Sequence, residues 1–363
     1  MWGTYTVSAP TSLVIMRKTF PALYILPLVV GVLFLQGCAN HTVAFWSENE
    51  AWVTGPEGIS NYSNGLQVTL SPTTPHEPCA NDCAGQTFRR FVDFINILEA
   101  KNESPDNEIW LRYGLAHQYF TPDDTSISTL QPDDRPYAGW LSTSVDIVNE
   151  SLSSNTNGND RHYRNSVGLR FGIVGPAAFG EELQKAWHRV CDCSEPQGWD
   201  LQLGNEFGFI YTLSHDRQLI RKDFSTTWSI DVIGLAQAAI GNIYSGAELG
   251  GIVRLGYNLN TRWSAKTMAD IGYDANGIDA NPGFFLMAGV TGRYVARDIF
   301  VDGNTWRGSH SVERTPFVSD QMLGLGMHWK HLEIRVMMTR RTDQYSSQAG
   351  TTRFGSVVLV WKP

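Results

Sequence analysis

Beyond its first forty residues, the chain alternates apolar and polar positions in runs of about ten, each bounded by turn residues. This is the pattern of strands with one face against hydrocarbon and the other against a polar interior. Such runs are read at 42–49, 62–71, 108–119, 138–149, 164–175 and 203–214. They continue at 226–241, 245–258, 283–296, 317–329, 331–342 and 354–361. The segment 261–275 alternates too, but closure with an even number of strands makes it a loop in this reading. The pattern predicts an all-β fold, an antiparallel transmembrane β-barrel of about twelve strands. No internal repeat or domain linker is visible, and Asn155 to Asp160 reads as a polar loop tip. The last strand ends on Trp361-Lys362-Pro363 instead of a terminal aromatic.

Two stretches break the alternation. Residues 86–100, "QTFRRFVDFINILEA", have helical spacing and are expected at a barrel rim. Residues 176–190, "PAAFGEELQKAWHRV", place Phe179, Leu183, Ala186, Trp187 and Val190 at helical spacing, which predicts a short helix between strands five and six. Its opposite face stacks Glu181, Gln184 and His188 in one line.

The first 38 residues read as an N-terminal extension and a signal peptide, leaving 39–363 as the barrel domain. Met16-Arg17-Lys18 supplies the positive region and Tyr24 to Leu35 an apolar run too short to span a membrane comfortably. Met16 is the expected start of this signal. Two cleavage readings compete: "LQGC", a lipobox that would lipidate Cys38, or "GCA" before Asn40 as an ordinary signal-peptidase site. Without Cys38 the chain keeps Cys79, Cys83, Cys191 and Cys193, an even set suited to disulfides in an oxidising compartment, with metal binding as the alternative. A net charge of -8 argues against nucleic acid as a partner. With 18% charged and 12% aromatic residues and 34 glycines, the composition suits a barrel with aromatic girdles.

Several stretches resemble a known family. They are "YSNGLQVTLS" (62–71), "HQYFTPDD" (117–124), "DDRPYAGWL" (133–141), "GIVGPAAFGEELQKAWHRV" (172–190) with "PQGWDLQLGNE" (196–206), and "GRYVARDIFVDGNT" (292–305). These are similar to the landmarks of the LpxR-type lipid A 3'-O-deacylase family of Gram-negative outer membranes. The resemblance runs from Glu48 to the C-terminus. It implies a twelve-stranded outer-membrane barrel, with an active site between the barrel wall and a helix on the outer-leaflet side. The implied reaction is Ca2+-dependent hydrolysis of an ester-linked acyloxyacyl chain of lipid A in lipopolysaccharide, by water with a histidine as general base. The implied protein is a monomer whose partners are this substrate and other outer-membrane lipids. The alternatives are hydrolysis of a phospholipid acyl ester, and an inactive barrel with a structural or lipid-binding role.

Residue by residue, the resemblance places His188 as the base, a role that an imidazole titrating near neutrality can fill. On residue chemistry alone, a helix histidine satisfied by a neighbour is the commoner case. Gln184, one turn earlier, would line the same cleft or be a surface glutamine. Asn49 and Glu50 match the family's Asn-Asp pair and offer hard oxygens to calcium or to an oxyanion. Glu replaces the usual Asp, which shifts the carboxylate by about an ångström or more. Ser63 matches the hydroxyl of the YTNG motif and would support water or metal; a lumen-facing hydroxyl is the plain alternative. No G-x-S-x-G elbow surrounds any serine. An acid that follows the base in the family falls near Ser194, where Glu195 or Asp192 would substitute. Asp123 and Asp124 stand where some members carry basic residues, so recognition of phosphate passes to Arg135 or to Arg89-Arg90. Arg135 paired with Asp133 or Asp134 is the structural alternative.

Overall fold

The computed structural model describes residues 41–50, 53, 64–72, 107–153, 161–191, 193–259 and 281–363. The segment through Cys38, Ser63, Cys79, Cys83, the 86–100 helix with Arg89-Arg90, Asp192 and the 261–275 loop lie outside the described residues. Twelve strands form among the described residues. They are β1 (His41–Asn49), β2 (Asn64–Pro72), β3 (Asn107–Phe120), β4 (Ala138–Ser153), β5 (Arg161–Val174) and β6 (Glu206–Asp223). After them come β7 (Trp228–Gly241), β8 (Tyr244–Tyr257), β9 (Gly283–Asp298), β10 (Phe317–Trp329), β11 (Leu332–Arg341) and β12 (Thr352–Trp361). Each pairs antiparallel with its neighbours in sequence, and β1 with β12, so the sheet closes on itself. The helix α1 (Gly180–Cys191) lies between β5 and β6, as its spacing predicts. A single turn, α2 (Ile299–Asp302), follows β9.

Burial follows the two-residue period with its sense reversed from that of a soluble protein. Inside the barrel, charged side chains are buried in pairs. Arg112 Nε meets Asp146 at 3.2 Å, Arg164 Nη2 meets Glu150 at 3.3 Å, and Arg335 pairs with Glu333. Asp320 takes both Arg293, at 2.5 Å, and Arg341, at 2.8 Å. On the outside, Phe207 is 61% exposed, Leu249 70% and Phe317 71%. Apolar residues outward and paired charges inward are what a barrel in hydrocarbon requires. Aromatic side chains cluster near the strand ends. Trp228, Tyr257 and Phe284 sit within 6.0 Å of one another, centroid to centroid, where β7, β8 and β9 approach the end that carries the termini.

The strand read at 203–214 is corrected to Glu206–Asp223. Asp216 and Gln218 break the apolar pattern, but both point into the polar interior, and a register shift between Gln218 and Ile220 re-aims the rest of the strand. With an even strand number, both termini leave at one end. The loops 121–137, 175–205, 299–316 and 342–351 gather at the other end. There Tyr345 Oη donates to Asp134 Oδ1 (2.5 Å), Leu203 N to Tyr137 O (2.9 Å) and Gln197 N to Thr125 O (2.9 Å), binding the loops into one cap.

The pairing of Asp231 with Arg254 gives a direct test of the interior. Asp231 is fully buried, and its two oxygens accept from Arg254 Nε at 3.0 Å and Nη2 at 2.5 Å. Asp231→Ala strands a buried guanidinium and should cost about 3–5 kcal/mol in urea unfolding of the micelle-refolded barrel. A cost near zero would mean that water reaches the interior.

Candidate active site

The helix α1 lies against the outer surface of the wall, over β3 and β4. The approach begins at Gly175, whose φ of 99° and whose Cα, so close to Asn205 N that a Cβ there would sit 2.7 Å from it, admit only glycine. A 3-10 turn, Pro176–Ala178, follows, and Phe179 at φ 60° turns the chain into the helix. The contact itself is made by two glycines. A Cβ on Gly139 of β4 would lie 3.0 Å from Gly180 N, and one on Gly180 would lie 2.7 Å from the Trp199 ring. Backbone therefore rests on backbone.

The strand period shows which face is covered. In β3 and β4 the interior side carries Arg112, Ala116, Trp140, Ser142 and Asp146. His117, Tyr119 and Gly139 have the opposite parity, which elsewhere in the barrel meets lipid, yet His117 is 8% and Tyr119 1% exposed. The helix segment accounts for this. His117 Nε2 donates to Ala178 O at 2.7 Å, and the Tyr119 ring meets the Trp199 ring edge-on at 6.4 Å.

The register extends this covered face towards β1. Asn49 is paired with Asn64, Asn64 with Tyr119, and Tyr119 with Gly139. Directly opposed residues share a face, so one rung of about 14 Å runs from the end of β1 to the helix. Its members are polar and buried: Asn49 is 4% and Asn64 6% exposed, with Ser47 beside them at 8%. Tyr119 and the Asn64 side chain are hydrogen-bonded. Glu50, in the turn after β1, is 2% exposed, whereas Glu48 faces inward and accepts from Ser356 Oγ at 3.0 Å. Asn64, Tyr119 and Ser47 were missed in the sequence, although polar residues at lipid-facing parity are the signal that could have found them.

Of the polar stripe on α1, Gln184 turns to the wall. It is 2% exposed and its Oε1 accepts from Trp199 Nε1 at 2.7 Å, which fixes the Trp199, Tyr119 and Tyr137 cluster. Glu181 pairs instead with Lys185 at 2.8 Å on the accessible side. His188 is half-buried. Its Nδ1 contacts the Ser194 carbonyl, which can only accept, so Nδ1 carries the proton and Nε2 is the basic nitrogen. The backbone at Ser194 thus orients the imidazole, whatever its side chain. Glu195 is 3.7 Å from Lys185 and largely exposed. Cys193 is disulfide-bonded, in line with the exported-disulfide reading. Of the apolar residues of this segment, Leu183 packs against the Trp199 cluster, whereas Phe179 is 58%, Trp187 37% and Val190 55% exposed along its flank, and the exposed Glu182 and Arg189 face away from the wall.

Arg135 stands apart from this cleft. It is 1% exposed in the mouth of the barrel, its guanidinium 5.2 Å from the Phe120 ring centroid and 5.8 Å from that of Tyr345. Its backbone N donates to Asp134 Oδ1 at 2.7 Å. This placement has the character of the structural alternative. As for calcium, Asn49 and Glu50 are adjacent, buried and of the hard-oxygen type that the ion takes. No three His, Cys, Asp or Glu side chains converge among the described residues, so the rest of the shell would be amide, hydroxyl, carbonyl and water oxygens.

The sequence profile of the family described as "Outer membrane protein LpxR" matches residues 25–363. The chain belongs to the LpxR family. Among solved structures, LpxR from Salmonella typhimurium superposes with a TM-score of 0.67 at 15% identity, over 89% of this chain and 100% of that one. The translocator domain of the autotransporter NalP from Neisseria meningitidis gives 0.41 at 11% identity, over 94% and 95% of the two chains. A search of curated protein sequences gave no significant match. This LpxR-family chain is an outer-membrane β-barrel, and its helix between β5 and β6 fits that fold.

The loop cap carries a titrating group. Burial pushes the Asp123 carboxyl up, Asp134 pushes it further, and Arg135 opposes both, leaving it at about 7 against an ordinary 3.8. A raised acid holds its proton in the folded protein after the unfolded chain has lost it. Its stabilising effect is therefore full below the unfolded value and disappears as pH rises through about 7. Protease resistance of the loop 121–137 should fall between about pH 4 and about pH 7, and Asp123→Asn should flatten that fall. An unchanged profile in the variant would assign it to another group.

Proposed function

We propose that this protein is a lipid A deacylase that hydrolyses an ester-linked acyloxyacyl chain, with His188 as general base and Ca2+ as cofactor. The observation that carries the reading is the buried polar rung on the lipid-facing side of the wall, whose β3–β4 end lies under the helix that bears an oriented His188. Family membership and the likeness to LpxR from Salmonella typhimurium support the same reading.

In this mechanism His188 Nε2 takes a proton from water as the water oxygen attacks the ester carbonyl carbon. The Ser194 carbonyl, bonded to Nδ1–H, holds the ring in that tautomer and steadies the imidazolium. The tetrahedral intermediate collapses, the acyl C–O bond breaks, and the departing alkoxide receives the proton from His188. The products are a free fatty acid and a hydroxyl on the lipid. Asn49 would donate its amide N–H to the oxyanion, and Gln184 would act at one remove, by fixing Trp199 under the helix. Calcium would be held by Asn49 and Glu50, with Ser63 as the further ligand that the family resemblance implies, and would supply positive charge where the oxyanion develops.

His188→Gln should lower turnover by about 10²–10⁴-fold with little change in KM or in heat-modifiable gel migration. Mass spectra of lipid A from cells expressing each form read the reaction, and a folded variant that still deacylates would remove His188 from the mechanism. Chelation with EDTA should abolish turnover and added Ca2+ should restore it; full activity in chelator would sink the metal role. Unchanged lipid A together with released lysophospholipid would move the substrate to a phospholipid.

A further inference from the structure

Two motifs take no part in this chemistry. "LGNE" (203–206), before β6, and "DGNT" (302–305), after α2, interlock at the loop end of the barrel. Gly204 N donates to Asn304 Oδ1 and Asn304 Nδ2 donates to Gly204 O, both at 3.0 Å. Glu206 is 5% exposed and saturated: its Oε2 accepts from Asn304 Nδ2 (3.0 Å) and Thr305 N (2.8 Å), and its Oε1 from Asn242 Nδ2 (3.0 Å). Arg297 ties in the remaining edge, donating to Asn242 O at 2.7 Å and to Gly303 O at 2.9 Å. So dense a network, centred on a buried carboxylate, fixes the two residues that come next.

Those residues are Trp306, 75% exposed, and the exposed Arg307. The guanidinium lies across Gly204, where a Cβ would come within 2.4 Å of Nη1, so glycine makes the room for it. Its Nη2 donates to Asn205 O at 3.2 Å, and it forms no ion pair among the described residues. With Asn242, the two close a cavity of about 370 Å³ whose floor is Phe207 and Phe209, outward-facing and 61% and 42% exposed. The pocket therefore has a cationic, hydrogen-bonding rim towards the loops and an aromatic floor towards the hydrocarbon. It also adjoins the catalytic segment, since Asn205 Oδ1 accepts from Ala177 N, just before α1, at 2.8 Å.

We infer that this pocket is a subsite for the phosphate of a membrane amphiphile, with Arg307 as the phosphate ligand and Phe207 and Phe209 beneath its acyl chains. The inference rests on the proposed reading of the substrate as lipid A and gives it the phosphate anchor that Asp123, Asp124 and the buried Arg135 do not provide. A guanidinium with open donors binds a phosphate through charge-assisted bonds, and an indole beside it suits the boundary between headgroups and chains. The Glu206 carboxylate also lines the pocket and keeps its charge there, so the phosphate must sit towards Arg307, away from the three neutral donors that bind the Glu206 oxygens.

The test uses the full chain in zwitterionic detergent, carrying His188→Gln so that ligand is not consumed, and native mass spectrometry of its lipid adducts. The probes are lipid A, the same lipid stripped of its phosphates, and inorganic phosphate. With Arg307 present, phosphorylated lipid A should bind about ten- to a hundredfold more tightly than the stripped lipid. Arg307→Ala should erase that preference and Arg307→Lys should keep part of it. Equal binding of the two lipids, or a preference that survives Arg307→Ala, would overturn the assignment. Inorganic phosphate bound as tightly as the lipid would overturn the membrane source. An Arg307-dependent preference in a protein that never deacylates lipid A would uphold the subsite and count against the proposed hydrolysis alone.

Discussion

Hydrocarbon offers no hydrogen bonds, so every backbone N–H and C=O within it must be paired inside the protein. The pairing of β1 with β12, from Val43 with Trp361 to Asn49 with Gly355, meets that demand by leaving no open edge. All else in this structure follows from that closure. Once the sheet is a cylinder, each strand position is committed by parity either to the interior or to lipid. The interior is then filled by paired charges such as Asp231 with Arg254, and the outside is left to Phe, Leu, Val and Trp.

Within that commitment, polar side chains at lipid-facing parity are costly unless covered. Ser47, Asn49, Asn64, His117 and Tyr119 all stand there, and all are buried. Over His117 and Tyr119 the cover is the segment that carries the helix after β5, held down by Gly139 against Gly180, by the bond from His117 to Ala178, and by the one between Trp199 and Gln184. The cleft and the roof are thus one solution to one problem. Polar side chains can stand on the membrane side of β3 only because a second element shields them, and that element brings His188 with it.

Much of this was legible in the sequence, because two-residue alternation and 3.6-residue spacing are periodic signals that survive without any tertiary knowledge. The strands, the even closure and the helix over 180–191 were all readable on that basis. Where pattern failed, it failed for local reasons. β6 ran on past Asp216 and Gln218 because polar residues are expected on the interior face and only look like a turn when parity is lost at a bulge. The rung was harder. Its members lie on separate strands and meet only through register, which alternation does not encode. Arg135 shows a related limit: its loop motif suits a ligand contact or a structural role, and only packing shows the rings of Phe120 and Tyr345 beside it.

Along the flank of α1 stand Phe179, Trp187 and Val190, apolar residues more than a third exposed. An apolar flank beside a cleft on the lipid-facing side of the wall favours contact with hydrocarbon over water. On the proposed function, a substrate would arrive sideways, by diffusion in two dimensions within its own leaflet, and its products would leave the same way. The quantity such a protein senses is the mole fraction of its ligand among neighbouring lipids. Dissolved concentration has no bearing on it.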